Sequence, residues 1–207
     1  MDSDTETYIL LLLSDSNLPT GAFVASAGFE SYVAHGLFST AASISNGMHT
    51  SSQAQILSST TNFLRDNLGS YARAALPFVA DAHDIAARTM ATNGTQGAHG
   101  VDTGLRALAD LDDLYERMTL NHVARRASQS QGVALLTLYT RGFSKPPLAG
   151  IGLPSVTQNP SATPNQNVSA LVDELKLMVR RENTPGHLPI CWGVLTAALG
   201  LSTGMPT

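Results

Sequence analysis

The segment Ile190 to Leu201 reads ICWGVLTAALGL, apolar on every side of a helix and interrupted only by Gly193, Thr196 and Gly200. A helix without a polar face must be covered on all sides. The segment is too short to span a bilayer, which takes about 20 apolar residues. The rest of the chain must therefore build a shell around it, and each Leu or Ile fully buried there contributes roughly 1.5–3 kcal/mol. Only six residues follow Leu201. The expectation is that the chain leaves apolar surface exposed and is poorly soluble, or is soluble only as an oligomer or with a partner.

Helical periodicity elsewhere supplies candidates for that shell. Thr5–Leu13 reads as a short helix, with Ile9–Leu13 alone also compatible with a strand. Pro19 and Gly21 mark a turn. Ser26–His35 reads as a helix ended by Gly36, and Ser39–Ser52 as a loop. Ile56, Leu57, Phe63, Leu64 and Leu68 share one helical face. A separate helix, Tyr71–Met90, follows Gly69, with Pro77 as a kink or break. Asn93–Gly104, NGTQGAHGVDTG, reads as a loop. Leu105, Leu108, Leu111, Tyr115 and Met118 recur at helical spacing, and Ala124, Ala127, Gln131, Ala134, Leu135 and Leu138 share one side of the next helix. Gly132 lies inside that helix at a cost of ~1 kcal/mol relative to Ala, which points to another helix passing close, within the chain or across a dimer. Five of the ten prolines fall in residues 143–167, so this stretch reads as a flexible insertion. Val168, Leu171, Val172, Leu175, Met178 and Val179 give the clearest amphipathic pattern. The fold class is all-α: a single helical domain over residues 1–207, of about seven to nine helices, with a disordered excursion at 143–167.

Composition narrows the function classes. Charged residues are 14% of the 207, against ~25% in an ordinary soluble domain, which favours a partner or an oligomer. Lys and Arg total 12 within a formal net charge of −4. No basic stripe with interleaved aromatics occurs, which argues against nucleic-acid binding. Cys191 is the lone cysteine, so no internal disulfide or thiolate cluster can form and a reducing compartment fits. The acidic start and short apolar runs predict no membrane span and a cytoplasmic location.

Self-sufficient active-site motifs are missing. There is no P-loop, no H-E-x-x-H and no C-x-x-C. Val24-Ala25-Ser26-Ala27-Gly28 lacks the first glycine of a nucleophile elbow, so a serine hydrolase at Ser26 is a remote alternative to a helix-start serine. His187 and Cys191 are four apart, a spacing that could serve a metal-binding carrier. Pro189 occupies the first turn, however, which leaves His187 ahead of the helix and favours a loop histidine beside a core thiol. No metal ligand is firm. Glu30 stands among small and aromatic residues, and burial beside Phe29 and Tyr32 or simple exposure are both open. The residues point to a non-enzymatic binding or scaffold protein.

Three separated stretches carry a family likeness. LLLLSDSNLPTGAFVASAGFESYVAHG contains Ser16, Leu18, Pro19, Gly21, Phe23, Ser26, Gly28 and Glu30 in the order S-x-x-L-P-x-G-x-F, then S-x-G-x-E. RRASQSQGVALLTL supplies Arg125, Ala127, Ser128, Gln131, Gly132, Leu135 and Leu136 as R-x-A-S-x-x-Q-G-x-x-L-L. GHLPICWGVLTAALGL supplies His187, Pro189 and Gly193 as H-x-P-x-x-x-G. Together they resemble the urease accessory protein family UreF, and the Pro-rich insertion resembles its fungal members. Family members continue with further helices past the position of Leu201, so this chain looks like a C-terminally short one. The resemblance implies an all-α homodimeric chaperone that bridges UreD (UreH) and the GTPase UreG and helps deliver Ni²⁺ in transit to apo-urease, with no firmly bound cofactor. It also implies that the turn at Pro19–Gly21 redirects the chain so that a small-residue helix packs closely. The matching motif residues are then the candidates for partner contacts or the nickel path.

Overall fold

The computed structural model describes residues 3–15, 18, 28–36, 52–96, 98–143 and 164–202. Among them are seven α-helices and no strand: α1 (Ser3–Leu13), α2 (Phe29–Ala34), α3 (Ser52–Gln96), α4 (Ala98–Met118), α5 (His122–Leu138), α6 (Pro164–Arg180) and α7 (Leu188–Ala198), with a π turn at Tyr139–Phe143 following α5. The all-α expectation holds. Residues 39–51 of the expected loop, and all of the Pro-rich stretch from 144 to 163, lie outside the described residues, and Ser52 already begins α3. The excursion ends earlier than expected, because α6 already begins at Pro164.

Compact clustering divides the chain into residues 22–76 and, separately, residues 1–21 with 77–207. In the first unit α2 is short. Gly28 precedes it at φ 88° and Gly36 follows at φ 67°, the left-handed backbone that glycine adopts without a Cβ penalty. Phe63 of α3 packs against Phe29 (ring centroids 5.3 Å apart) and Tyr32 (4.8 Å). Ile56, Leu57, Leu64 and Leu68, read as sharing one helical face with Phe63, are 50%, 69%, 58% and 69% exposed. Phe63 lies on the side of α3 that meets α2, and Leu57, Leu64 and Leu68 lie roughly 100–140° around the helix from it.

The expected break near Gly69 and Pro77 does not occur, since both lie inside the single helix α3. Proline in a helix interior costs ~3 kcal/mol. The run around it, ARAALPFVADAHDIAA, is rich in the best helix former, alanine, and it buries Ala75, Phe78, Ala82 and Ala86. The expected loop over 93–104 is also shorter than the sequence suggests. α3 runs to Gln96 and α4 starts at Ala98. Gly104, which reads as loop punctuation, is helical. A Cβ there would collide with the Thr89 side chain of α3, so this glycine permits helix contact rather than a turn.

The second unit is built around α7, as the apolar run demands. Pro189, Ile190, Cys191, Gly193, Val194 and Leu195 of α7 are buried. Leu105 and Leu108 of α4, Leu135 and Leu136 of α5, and Leu171, Val172 and Leu175 of α6 complete the core. Helices already in the chain cover this buried side of α7, while Trp192, Thr196, Ala197, Ala198 and Leu199 stay partly exposed. Exposed apolar residues lie elsewhere, including Tyr8, Leu10, Leu11 and Leu12 of α1. α1 forms a helix, not a strand, and turns Leu13 inward. It is tied to the end of the described chain by Glu6 Oε1, which accepts from the Ser202 amide (2.7 Å) and hydroxyl (2.6 Å).

Candidate functional site

α4 places Asp112, Tyr115 and Glu116 on one face through i, i+3 and i+4 spacing. Each reaches the segment that joins α6 to α7. Asp112 is 1% exposed. Its Oδ2 accepts from the Thr184 hydroxyl (2.6 Å) and the Gly186 amide (2.5 Å), and its Oδ1 from the His187 amide (3.0 Å). A buried carboxylate is tolerable only when so paired. Here it fixes the turn in which Gly186 takes φ 76°, immediately before α7.

Glu116 lies one turn further along α4. Its Oε1 accepts from the Arg125 guanidinium at 2.8 Å. Its Oε2 accepts from Gln129 Nε2 at 3.1 Å and pairs with His187 Nε2 at 2.6 Å. Partial burial alone would raise this carboxyl, but the hydrogen bond and charge of His187, then the charge and hydrogen bond of Arg125, together hold it below its ordinary value. The His187 ring is fully buried and packs edge-on to Tyr115, centroids 5.0 Å apart. Tyr115 in turn meets Phe78 edge-on at 5.0 Å. The pairing with Glu116 calls for a proton on Nε2. Nδ1, buried, has no hydrogen-bond partner among the described residues.

α5 supplies the opposite wall. Arg125, Ser128 and Gly132 recur at i, i+3 and i+7 and so face one direction. Ser128 Oγ accepts from the Leu188 amide at 3.1 Å, satisfying one orphan donor at the start of α7. Pro189 follows and has no amide to satisfy, which suits the first helical turn. His187, the N-cap residue, makes no capping bond with its own side chain. Thus two helices distant in sequence do the capping of α7. Gly132 sits beneath the same turn: a Cβ there would overlap the Gly186 carbonyl and lie 3.0 Å from Cys191 Sγ. The close approach expected from this glycine is internal to the chain. Gly193, on the far side of α7, admits the α3 backbone at Val79 and His83 in the same way.

Of the candidate residues, Arg125, Ser128, Gly132, His187 and Pro189 are therefore gathered around the entry to α7, Gly193 lies on the far side of that helix against α3, and Gln131 is half-buried on α5. Gly28 and Glu30 belong to the other unit, where Glu30 is exposed; burial beside Phe29 and Tyr32 does not occur. Pro19, Gly21, Phe23 and Ser26 lie outside the described residues, and so does any test of a Ser26 nucleophile. The residues missed from sequence are Asp112, Glu116 and Gln129. The signal for Asp112 was present: it falls in the series Leu105, Leu108, Asp112, Tyr115, an acid at a core position of an amphipathic helix.

Beside Glu116 opens a pocket of about 410 Å³, lined by Asp113, Glu116, Gln129, Val179 and residues 182–185. Among the described residues no group of three or more His, Cys, Asp or Glu is placed to hold a metal ion. The Cys191 thiol is fully buried, and burial with the nearby Asp112 charge raises its pKa well above the ordinary value. It is therefore a poor thiolate ligand. No described helix is long and apolar enough to cross a membrane. The cluster's chemistry is that of a clamp.

Its pH response can be stated. A depressed folded-state value means that the Glu116 contribution is complete above the ordinary 4.5 and is lost as pH falls through the folded value. Urea midpoints measured from pH 6 to pH 3 should fall more steeply below 4.5 for the wild type than for Glu116→Gln. Parallel curves would show that the carboxylate contributes nothing.

The comparisons with known proteins bear on the same residues. The family model described as UreF matches residues 57–205. Urease accessory protein 6 of Cryptococcus neoformans var. grubii is 37% identical over 206 residues, covering 96% of this chain and 64% of that protein. A UreF-like urease accessory protein of Schizosaccharomyces pombe, itself uncharacterised, is 26% identical over 201 residues (97% and 64%). Urease accessory protein UreF of Paenarthrobacter aurescens is 28% identical over 197 residues (94% and 62%). The chain thus spans less than two thirds of the length of these curated relatives. No solved structure matches it. With the family's pattern matched from 57 to 205, across every residue of the cluster around α7, the chain belongs to the UreF family.

Proposed function

We propose that this protein takes part in urease maturation as a non-enzymatic helical scaffold. It would act as a homodimer that joins UreD (UreH) and the GTPase UreG, so that Ni²⁺ reaches apo-urease as cargo through the assembled complex. The supporting observation is the convergence of both family motifs within residues 57–205 on one buried, fully framed turn. That arrangement spends its polar groups on holding the shape of the turn, as a scaffold requires. The lack of a P-loop fits nucleotide chemistry in a partner. The cytoplasm is the compartment this role calls for.

Co-expression with UreD and UreG from the same organism tests the reading. A tagged chain should bring down both partners and raise urease activity in cells lacking the native protein. Recovery of the chain alone, with no activation, would contradict it. Glu30 offers a narrower test. Because it is exposed, Glu30→Ala should change stability by no more than about 0.5 kcal/mol. As a residue of the nickel path, its loss should lower urease activation while the complex still assembles. Normal activation by this variant would remove Glu30 from the path.

A further inference from the structure

Lys176 Nζ, in the last turns of α6, donates to Thr140 Oγ1 of the π turn Tyr139–Phe143 at 2.7 Å. Arg141 directly follows Thr140. Arg180 lies four residues after Lys176, hence on the same helical face. The charges of both arginines reach the Lys176 ammonium, so three cations lie near one another on a chain whose formal net charge is −4. Arg141 and Arg180 are exposed, and neither has an ion-pair partner among the described residues. Asp173, one turn before Lys176 and also exposed, is the acid that faces the group, so the patch is doubly positive.

We propose that Arg141, Lys176 and Arg180 form a binding site for a phosphate-type dianion, free or carried on a larger molecule. Helix-dipole complementarity accounts for a base in the last turn of α6. It does not account for a half-buried lysine turned toward a second segment that brings another guanidinium beside it. Burial, then the charge of Arg180, then that of Arg141, lower the Lys176 pKa, while Asp173 opposes them. The repulsion is relieved when an anion is bound between the three. A tetrahedral dianion matches the doubly positive patch and has enough acceptors for two guanidinium forks and an ammonium, more than one carboxylate can offer. The π turn contributes by displacing the chain's register at Thr140–Arg141, a local irregularity frequent at functional sites.

Isothermal titration of the full 207-residue chain with sodium phosphate and sodium pyrophosphate, at fixed ionic strength in chloride, tests the site. The expected result is one anion per chain, with affinity reduced at least tenfold in Arg141→Gln/Arg180→Gln and raised at least threefold in Asp173→Asn. Both variants alter exposed side chains and should keep the wild-type circular dichroism and melting temperature in chloride. ADP reports whether the phosphate is taken when carried on a nucleotide: binding that the double variant also loses supports the same site. No binding of either inorganic anion to the wild type, equal binding by the double variant, or binding of a pentaglutamate peptide in place of phosphate would each overturn the proposal.

Discussion

Asp112→Ala is expected to destabilise the protein by about 3–5 kcal/mol, more than any other single substitution in the cluster. The carboxylate is 1% exposed and serves three donors: the Thr184 hydroxyl and the amides of Gly186 and His187. Removing it strands those donors in the interior, and each unsatisfied buried group costs about 1–3 kcal/mol. Some of that is recovered by the Thr184 hydroxyl rotating and by water entering the space. Asp112→Asn keeps the volume but presents an amide donor where an acceptor is needed, so it should fall between wild type and Ala. Urea denaturation followed by circular dichroism measures both. A loss below 1 kcal/mol for the Ala variant would mean that the turn before α7 holds its shape without this anchor.

Gly132→Leu is the second large effect, with a cost of about 1–3 kcal/mol for overpacking. The obstacle is the backbone carbonyl of Gly186, with Cys191 Sγ behind it, so rotating the new side chain does not remove the clash. Gly132→Ala should already destabilise, although alanine is the better helix former by ~1 kcal/mol. Gly186 is also bonded to Asp112. The Gly132 and Asp112 substitutions should therefore be less than additive, because a turn released by one tolerates the other. A Gly132→Leu protein as stable as the wild type would show that α5 does not approach the turn so closely.

Much of this arrangement was legible in the sequence. The all-round apolar character of α7 required a surrounding shell, and Gly132 announced a close approach. The central and C-terminal motifs named Arg125, Ser128, His187 and Pro189. The sequence did not show that these motifs meet, because the residues that join them belong to no motif: Glu116 reads as the polar face of α4, and Asp112, although at a core position of that helix, does not reveal which segment it binds. The misplaced helix ends have a similar origin. Glycine and proline mark turns when nothing else intervenes, but Gly104 is held in a helix by its fit against Thr89, and Pro77 by an alanine-rich run that buries Phe78, Ala82 and Ala86. The buried side of α7 takes its cover from α4, α5 and α6 upstream, and Trp192, Thr196 and Leu199 stay partly exposed.

Hydrogen exchange at residues 182–190 reports most directly on the central structural claim, that a loop between α6 and α7 is locked by side chains of α4 and α5. The amides of Gly186, His187 and Leu188 are bonded to Asp112 and Ser128 rather than to a regular helix ladder. Their protection should match that of the buried α5 core around Leu135 and Leu136, and Asp112→Ala should abolish it at Gly186 and His187. Exchange at these three amides as fast as at an ordinary surface loop, in the wild-type protein, would contradict the clamp.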